Sequence, residues 1–339
     1  MEQPPAAAPV ARPRRSLPRR IVVSLGRILV LPALLLGAGC MLIAQPTFQR
    51  NSPSAVRVDP ARLHGHVRFL SVDCLPRDHL HPEVLEKAAA YIEQQLAAAG
   101  AETGRQILDI DGHRYSNVTA VFGRGLGRKL VIGAHYDAVV GTPGADDNAS
   151  AVAGLVELAS LIGAAPPERE IEFVAYTHEE PPHFGTETMG SHVHAAALAK
   201  SGEQVAGVIV LEMIGYFNDA RGSQSYPIPL LHLFYPSRGN FIAVVGRLDQ
   251  RRFTKQIKVG MKGATPLPVY SINAPKSLPG IDFSDHRNYW LHDFPAVMVT
   301  DTAFYRNHEY HQPGDTHDRL DYDRMAQVVV GVHAALAGL

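Results

Sequence analysis

An α/β fold, built as a three-layer α/β/α sandwich around a mixed, mainly parallel sheet, is what this chain predicts, and three observations carry the prediction. Short apolar runs rich in β-branched residues recur at 129–135, 170–180, 208–212 and 295–301, each with the length and composition of a buried strand. Stretches of helical spacing separate them, and such alternation argues for parallel strands covered by helices on both faces. Each run also ends at, or shortly before, side chains that bind metals: His135, Asp146, Glu180, Glu212 and His311. In open α/β sheets ligands bind beyond the carboxyl ends of the strands, so one crevice would gather all five. That is the donor set of a two-metal hydrolase.

The elements follow in order. Residues 1–20 are rich in Pro, Ala and Arg and lack periodicity, which predicts disorder. Arg12, Arg14, Arg15, Arg19, Arg20 and Arg27 precede or enter an uncharged apolar run from Ile28 to Ala44. Basic residues before an apolar stretch predict a single-pass anchor over 21–45, a cytoplasmic N-terminus and a catalytic domain in the periplasm or outside the cell. A cleavable signal peptide and a lipoprotein signal ending at Cys40 are the other readings. Against the lipoprotein signal, Met41 to Ala44 continue the apolar run and Gly37 stands where a larger apolar residue is usual. A polar linker over 46–60 then leads into one domain, 61–339.

Within that domain Glu83–Ala99 has helical spacing and stops at Gly100. Two β-like stretches flank Asp111-Gly112, a strong hairpin signal. A helix of small and apolar residues is expected from Asn148 to Ala164, entered through Asp147-Asn148 as an N-cap. Further helical patterns cover Met189–Lys200, Asn240–Lys258, Ser284–Leu291 and Arg319–Leu339.

Composition narrows the function. The chain has 339 residues, 46% hydrophobic, with 32 basic and 33 acidic side chains for a net charge of −1. Such a balance gives no bias toward nucleic acid. Two cysteines, Cys40 and Cys74, supply neither a disulfide framework nor a cysteine chemistry.

Three motifs carry the chemistry. His135-Tyr136-Asp137 puts an imidazole and a carboxylate on the same side of an extended chain, so that Asp137 can hold the second ring nitrogen. With 17 histidines in the chain, it is the strand-end placement that singles this one out. Gly144-Ala145-Asp146-Asp147-Asn148 sets carboxylates in a glycine-containing loop before a helix. If Asp147 or Asn148 caps that helix, Asp146 is free to bridge metals. Glu179-Glu180 suits a division of labour in which one glutamate binds metal and the other moves protons. The preceding His178 does not open an H-E-x-x-H helix, because His183 comes five residues later and Pro181-Pro182 forbid the helix.

Two further positions complete the set. Glu212 ends an apolar strand where a core residue is expected, and a charge there needs a partner. In the loop after the last strand His311 is the ligand choice, His308 the surface alternative, and Tyr310 can direct a phenolic hydroxyl at a developing oxyanion. Neither a nucleophile elbow nor a phosphate-binding loop is present. Ser284-Asp285-His286 has triad residue types, but as sequence neighbours they read as a supporting or helix-entry element.

Taken together, H-x-D at 135, G-A-D-D-N at 144, the glutamate pair at 179, Glu212-Met-Ile-Gly, Ser-Asp-His at 284 and Tyr-His at 310 resemble the M28 family of zinc aminopeptidases, over roughly His64 to the C-terminus. The resemblance implies two zinc ions, one on His135, Asp146 and Glu212 and the other on Asp146, Glu180 and His311. It also implies Glu179 as general base, Tyr310 as oxyanion stabiliser, Asp137, Asp147 and Asp285 in support, and a cis bond between Asp146 and Asp147. The implied substrates are peptides with a free N-terminus. Glu212 stands where most relatives have Asp, which leaves the metal preference there open. M20 peptidases share part of the pattern but insert a lid for which the interval from Glu212 to His311 is too short. Glutaminyl cyclases usually have Trp at the place of Tyr310. A cyclase-like amidohydrolase and an inactive membrane-anchored binding homologue are the alternative functions.

Overall fold

Pairing of the apolar runs explains the architecture of the computed structural model, which describes the backbone of residues 19–165 and 167–339 and the side chains from residue 30 onward. Eight strands form one sheet: β1 (Glu102–Ile110), β2 (His113–Phe122), β3 (Lys129–His135), β4 (Ile171–Tyr176), β5 (Val205–Glu212), β6 (Ile242–Arg247), β7 (Val269–Ala274) and β8 (Ala296–Thr300), in the order β1-β2-β4-β3-β5-β8-β6-β7. The four central strands β4, β3, β5 and β8 are mutually parallel. Every residue of β3, β4 and β8 is buried, as expected where helices cover both faces. Antiparallel pairings join β1 to β2, β2 to β4 and β6 to β8, so the sheet is mixed as predicted.

Helices α2 (Pro60–Arg68), α3 (Pro82–Ala98), α4 (Ala151–Gly163), α6 (Arg251–Met261) and α8 (Tyr322–Leu336) share one hydrophobic core with one face of the sheet. On the other face α5 (Gly190–Ser201) and α7 (His286–Tyr289) pack around Tyr289, Trp290 and Leu198. These are the three layers the sequence predicts.

Most elements stand where expected. The hairpin turns at Asp111-Gly112, both with positive φ (52° and 80°), the backbone that a two-residue turn matching strand twist demands. One expectation is overturned: Asn240–Lys258 is not a single helix. Ile242–Arg247 is strand β6, held between β8 and β7, and the helix starts only at Arg251. The run Ile-Ala-Val-Val is β-branched, and pairing with two neighbours outweighs a short-range helical pattern. Strand β7 and helix α2 were not anticipated.

The stretch expected to be disordered, 1–20, lies outside the described residues except for its last two. Helix α1 (Arg19–Ile43) occupies the segment expected to be an anchor. Among the described residues, however, no helix is long and apolar enough to cross a membrane, so the expected anchor finds no support in the fold. The helix end is tied to the domain instead. Asn273 Nδ2 donates to the Ile43 carbonyl, Ser271 Oγ to that of Ala44, and the Lys258 ammonium to those of Ala44 and Gln45. A cation at the C-terminal end of a helix is favourably placed for its exposed carbonyls.

Candidate active site

Register brings the motifs together. His135 closes β3 opposite Tyr176 at the end of β4, and Glu212 closes β5 opposite Thr300 at the end of β8. Because β4, β3, β5 and β8 are neighbours running the same way, their carboxyl ends form one rim. Glu179 and Glu180 follow β4, and the loop after β8 leads to His311.

Two groups of potential ligands result, each with its donor atoms within 4.8 Å of one another: His135, Asp147 and Glu212, and Asp147, Glu180 and His311. Asp147 belongs to both. His135 Nε2 lies 3.5 Å from Asp147 Oδ1 and 3.3 Å from Glu212 Oε2. His311 Nε2 lies 3.2 Å from Asp147 Oδ2 and 3.3 Å from Glu180 Oε2. A third combination, His135, Glu179 and Glu180, also lies within reach. Glu179 is the member left over once two triads share Asp147.

The position of Asp147 corrects the sequence reading, in which Asp146 was the bridge. Asp146 is fully buried and points away from the triads: its carboxylate accepts from the Gly215 N–H and from Asn307 Nδ2, both at 3.0 Å. Burial first, and then the neighbouring Asp301 carboxylate, hold it well above the usual carboxylate range. Successive side chains of an extended chain point to opposite sides, so only one of two adjacent aspartates can face the crevice. The cis bond is likewise one residue later than expected, between Asp147 and Asn148.

Nor does Asp147-Asn148 cap α4, whose entry has no side-chain cap. Asn148 instead accepts from the Met213 N–H at 2.9 Å and donates to Glu212 Oε2 at 3.3 Å. Gly144 makes the turn possible. It sits at φ 59°, and a Cβ there would meet the Asp147 carbonyl oxygen at 2.4 Å, so glycine is required.

Support for the ligands comes from groups that the sequence signalled unevenly. Asp137 lies 3.5 Å from His135 Nδ1, as its spacing implied, and its two oxygens also accept the backbone N–H groups of Glu179 and Glu180 at 3.1 Å each. With its main-chain carbonyl 3.2 Å from the same ring nitrogen, Asp137 orients the imidazole and the glutamate pair together. Burial pushes its pKa up, but the bond to His135, the charges of His135 and His178 and the Glu180 N–H together outweigh that and hold it below the usual value.

Asp285, expected in support, makes no hydrogen bond to any ligand and has both oxygens without a partner. Its neighbour Ser284 does the work, donating to Glu212 Oε2 at 2.6 Å. Asp315 accepts the N–H groups of Asp146 and Asp147 at 3.1 Å. Fully buried Arg77 donates to the carbonyls of Tyr136 and Gly144, tying the His135 strand end to the Asp147 loop. Little in the local sequence marks Arg77, because the carbonyls by which it ties these two segments together lie more than fifty residues away.

The electrostatics are those of anions waiting for cations. Burial, reinforced by Asp147, pushes Glu180 up to about 8, and burial raises Glu179 and Glu212 as well. His311, despite burial, is pulled up to about 10 by Asp147 and Glu180. Buried polar atoms of the second triad, Asp147 Oδ2, Glu180 Oε1 and His311 Nε2, lack hydrogen-bond partners. Packing this many carboxylates together is costly unless cations offset them. Imidazole plus carboxylate at these separations fits zinc, which accepts such N and O donors and keeps positions open in catalytic sites. Tyr310 stacks on the His311 ring with centroids 3.7 Å apart.

Comparison with known proteins identifies the family. Residues 117–336 match the family model described as Peptidase family M28. The chain is 47% identical over 301 residues, 86% of its own length and 92% of the relative's, to "Uncharacterized protein YfbL" of Escherichia coli K12. It is 23% identical over 228 residues to "Leucine aminopeptidase 1" of Coccidioides posadasii, covering 63% of this chain and 53% of that one. Among solved structures, LapB from Legionella pneumophila superposes with a TM-score of 0.65 at 21% identity, covering 83% of this chain and 73% of that one. A Bacteroides thetaiotaomicron glutaminyl cyclase superposes with 0.62 at 18% identity, covering 85% of this chain and all (100%) of its own. At such identities the two superpositions establish a shared fold, which hosts more than one chemistry. The chain belongs to peptidase family M28 and is a hydrolase of the metallopeptidase class.

Proposed function

We propose that this protein is an aminopeptidase that works with two zinc ions, one held by His135, Asp147 and Glu212 and the other by Asp147, Glu180 and His311. The observation that carries this reading is the sharing of Asp147 between two triads, buried except for the half-buried His311. Bound zinc would polarise the scissile carbonyl and lower the pKa of the attacking water. Glu179, beside both triads but needed by neither, takes the proton from that water and returns it to the leaving amine. Its backbone N–H is held by Asp137, so the point from which its side chain reaches the crevice is set independently of substrate. Tyr310 donates its hydroxyl toward the oxygen that gains charge; burial raises its pKa and keeps it a donor.

The test is hydrolysis of aminoacyl-nitroanilides by the purified protein, before and after a chelator and again after zinc is restored. Activity that disappears with the chelator and returns with zinc supports the reading; hydrolysis untouched by metal removal overturns it. N-terminal glutamine peptides in the same assay separate hydrolysis from cyclisation, the alternative chemistry on this fold. The place of Tyr310 favours hydrolysis.

We also infer that the basic, then apolar, N-terminal segment carries the domain out of the cytoplasm. Val30, Leu31, Leu34 and Leu35 of α1 are all exposed, so these apolar side chains add nothing to the core of the domain and suit a segment used for export. Protease added outside intact spheroplasts is expected to digest the domain; full protection would refute export.

A further inference from the structure

Beside the metal-binding triads a deep cavity opens whose mouth is marked by Glu212 and Tyr310. Its floor is the sheet itself, through Ala243 and Val245 of β6, Ile272 of β7 and Met298 of β8. The deep walls are aromatic: Tyr226, Tyr235, Phe241 and Tyr270. These rings already pack in tilted and edge-on pairs, with Tyr226 and Tyr235 5.7 Å apart, Tyr235 and Tyr270 6.2 Å, and Phe241 and Tyr270 5.1 Å. Phe283 and Phe304 flank the mouth, 6.2 Å from each other, and Phe304 lies 5.4 Å from Tyr310.

Most of the polar atoms on these walls are engaged elsewhere; the Tyr270 hydroxyl is the exception among the deep rings. Tyr226 Oη donates to the Pro236 carbonyl, Tyr235 Oη to that of Ser271, and Tyr305 Oη to that of Pro279. Gln224 spends its amide on Ser225 and Thr302 and its oxygen on Arg306. A polar side chain entering here would lose its water and find few partners in return.

A cation fares worse. Glu212 at the mouth is the one carboxylate among the lining residues. Behind the wall, the buried Arg306 guanidinium lies 4.6 Å over Phe241, so that ring already has a cation on one face. A second cation on its other side would be repelled.

We infer that this cavity receives the side chain of the residue whose carbonyl is attacked, and that it selects an aromatic ring there over a smaller apolar or a cationic group. The inference rests on the peptidase reading and names the substrate class of the same site. An aromatic side chain buries more area than leucine and adds ring-to-ring contacts with walls that are themselves rings. Alanine forfeits the burial. Lysine meets both an apolar wall and the field of Arg306.

The zinc-supplemented protein is assayed on phenylalanine, leucine, alanine and lysine p-nitroanilides. Phenylalanine is expected to exceed leucine in kcat/KM by about 5-fold, and alanine and lysine by about 100-fold or more. Ala243→Leu, which raises the floor, is expected to cut the phenylalanine-to-alanine ratio about tenfold. Equal rates, or a preference for alanine or lysine, would overturn the pocket assignment while leaving the peptidase reading intact. If no nitroanilide is cleaved, that reading fails and affinity decides the pocket. Calorimetry of the zinc-loaded protein with phenylalanine, alanine and lysine hydroxamates should then rank the phenyl compound tightest; equal affinities, or no binding of any, would overturn the inference.

Discussion

Glu179→Gln is expected to lower kcat by roughly 10²- to 10⁴-fold, the usual worth of a positioned acid–base group, with KM and zinc content unchanged. The expectation follows from which groups Glu179 touches. Its N–H is held by Asp137 Oδ1 at 3.1 Å, a backbone bond that the amide keeps. Its carboxylate lies 3.9 Å from His135 Nε2, close enough to act on a water in the crevice. Both triads that share Asp147 are complete without it. Gln has the same shape but cannot take a proton, so binding survives and turnover does not. A fall in kcat with KM unchanged is the signature of an interaction made in the transition state alone. A variant that keeps more than a tenth of the activity with zinc in place would remove Glu179 from its role. One that loses zinc as well would make it a ligand, in the combination with His135 and Glu180.

Asp147→Asn and Asp146→Asn are expected to differ sharply although the residues are neighbours. Asp147 is the carboxylate common to both triads, so its amide removes a charged ligand from two sites at once. Metal content should drop below two per chain. Activity should fall by about 10³-fold or more, since the electrostatic stabilisation that bound metal supplies amounts to several kcal/mol.

Asp146 faces the other way. It accepts from Gly215 and Asn307 and neighbours Asp301, and its pKa already stands well above the ordinary carboxylate value. A neutral amide of the same shape keeps one of those two acceptor bonds and removes no ligand from the triads, so Asp146→Asn should retain both metals and cost no more than about tenfold in activity. Zinc stoichiometry by atomic absorption, alongside kcat, separates the two variants. Loss of both metals from the Asp146 variant alone would reverse the assignment made from the geometry.

The same pair of residues marks the limit of what a linear reading resolves. The run Gly-Ala-Asp-Asp-Asn announces a carboxylate-bearing loop before a helix, and that loop is present. Which aspartate faces the crevice depends on the backbone torsions of Asp147 (φ −102°, ψ 89°) and on the partners that Gly215, Asn307 and Asp315 offer. All three lie at least 69 residues from Asp146 in sequence. Ser284 was passed over for its neighbour Asp285 for a similar reason: both stand in one short motif, and only the packing of α7 against β5 decides which meets Glu212. Strand β6 was hidden inside an expected helix because its evidence is its two neighbours in the sheet.

What the sequence by itself determined is therefore the class of the fold, the strand ends that bear His135 and Glu212, the glutamate pair after β4 and the His311 loop. These are local properties: hydrophobic period, β-branched runs and a polar residue where an apolar one would be expected. Only the tertiary structure decided that Asp147 joins the two triads, that Arg77 and Asp137 lock them in place, and that an aromatic cavity opens beside them. Those features come from side chains far apart in the chain meeting at the rim of the sheet. Their meeting is fixed by register and close packing, which no short stretch of sequence contains.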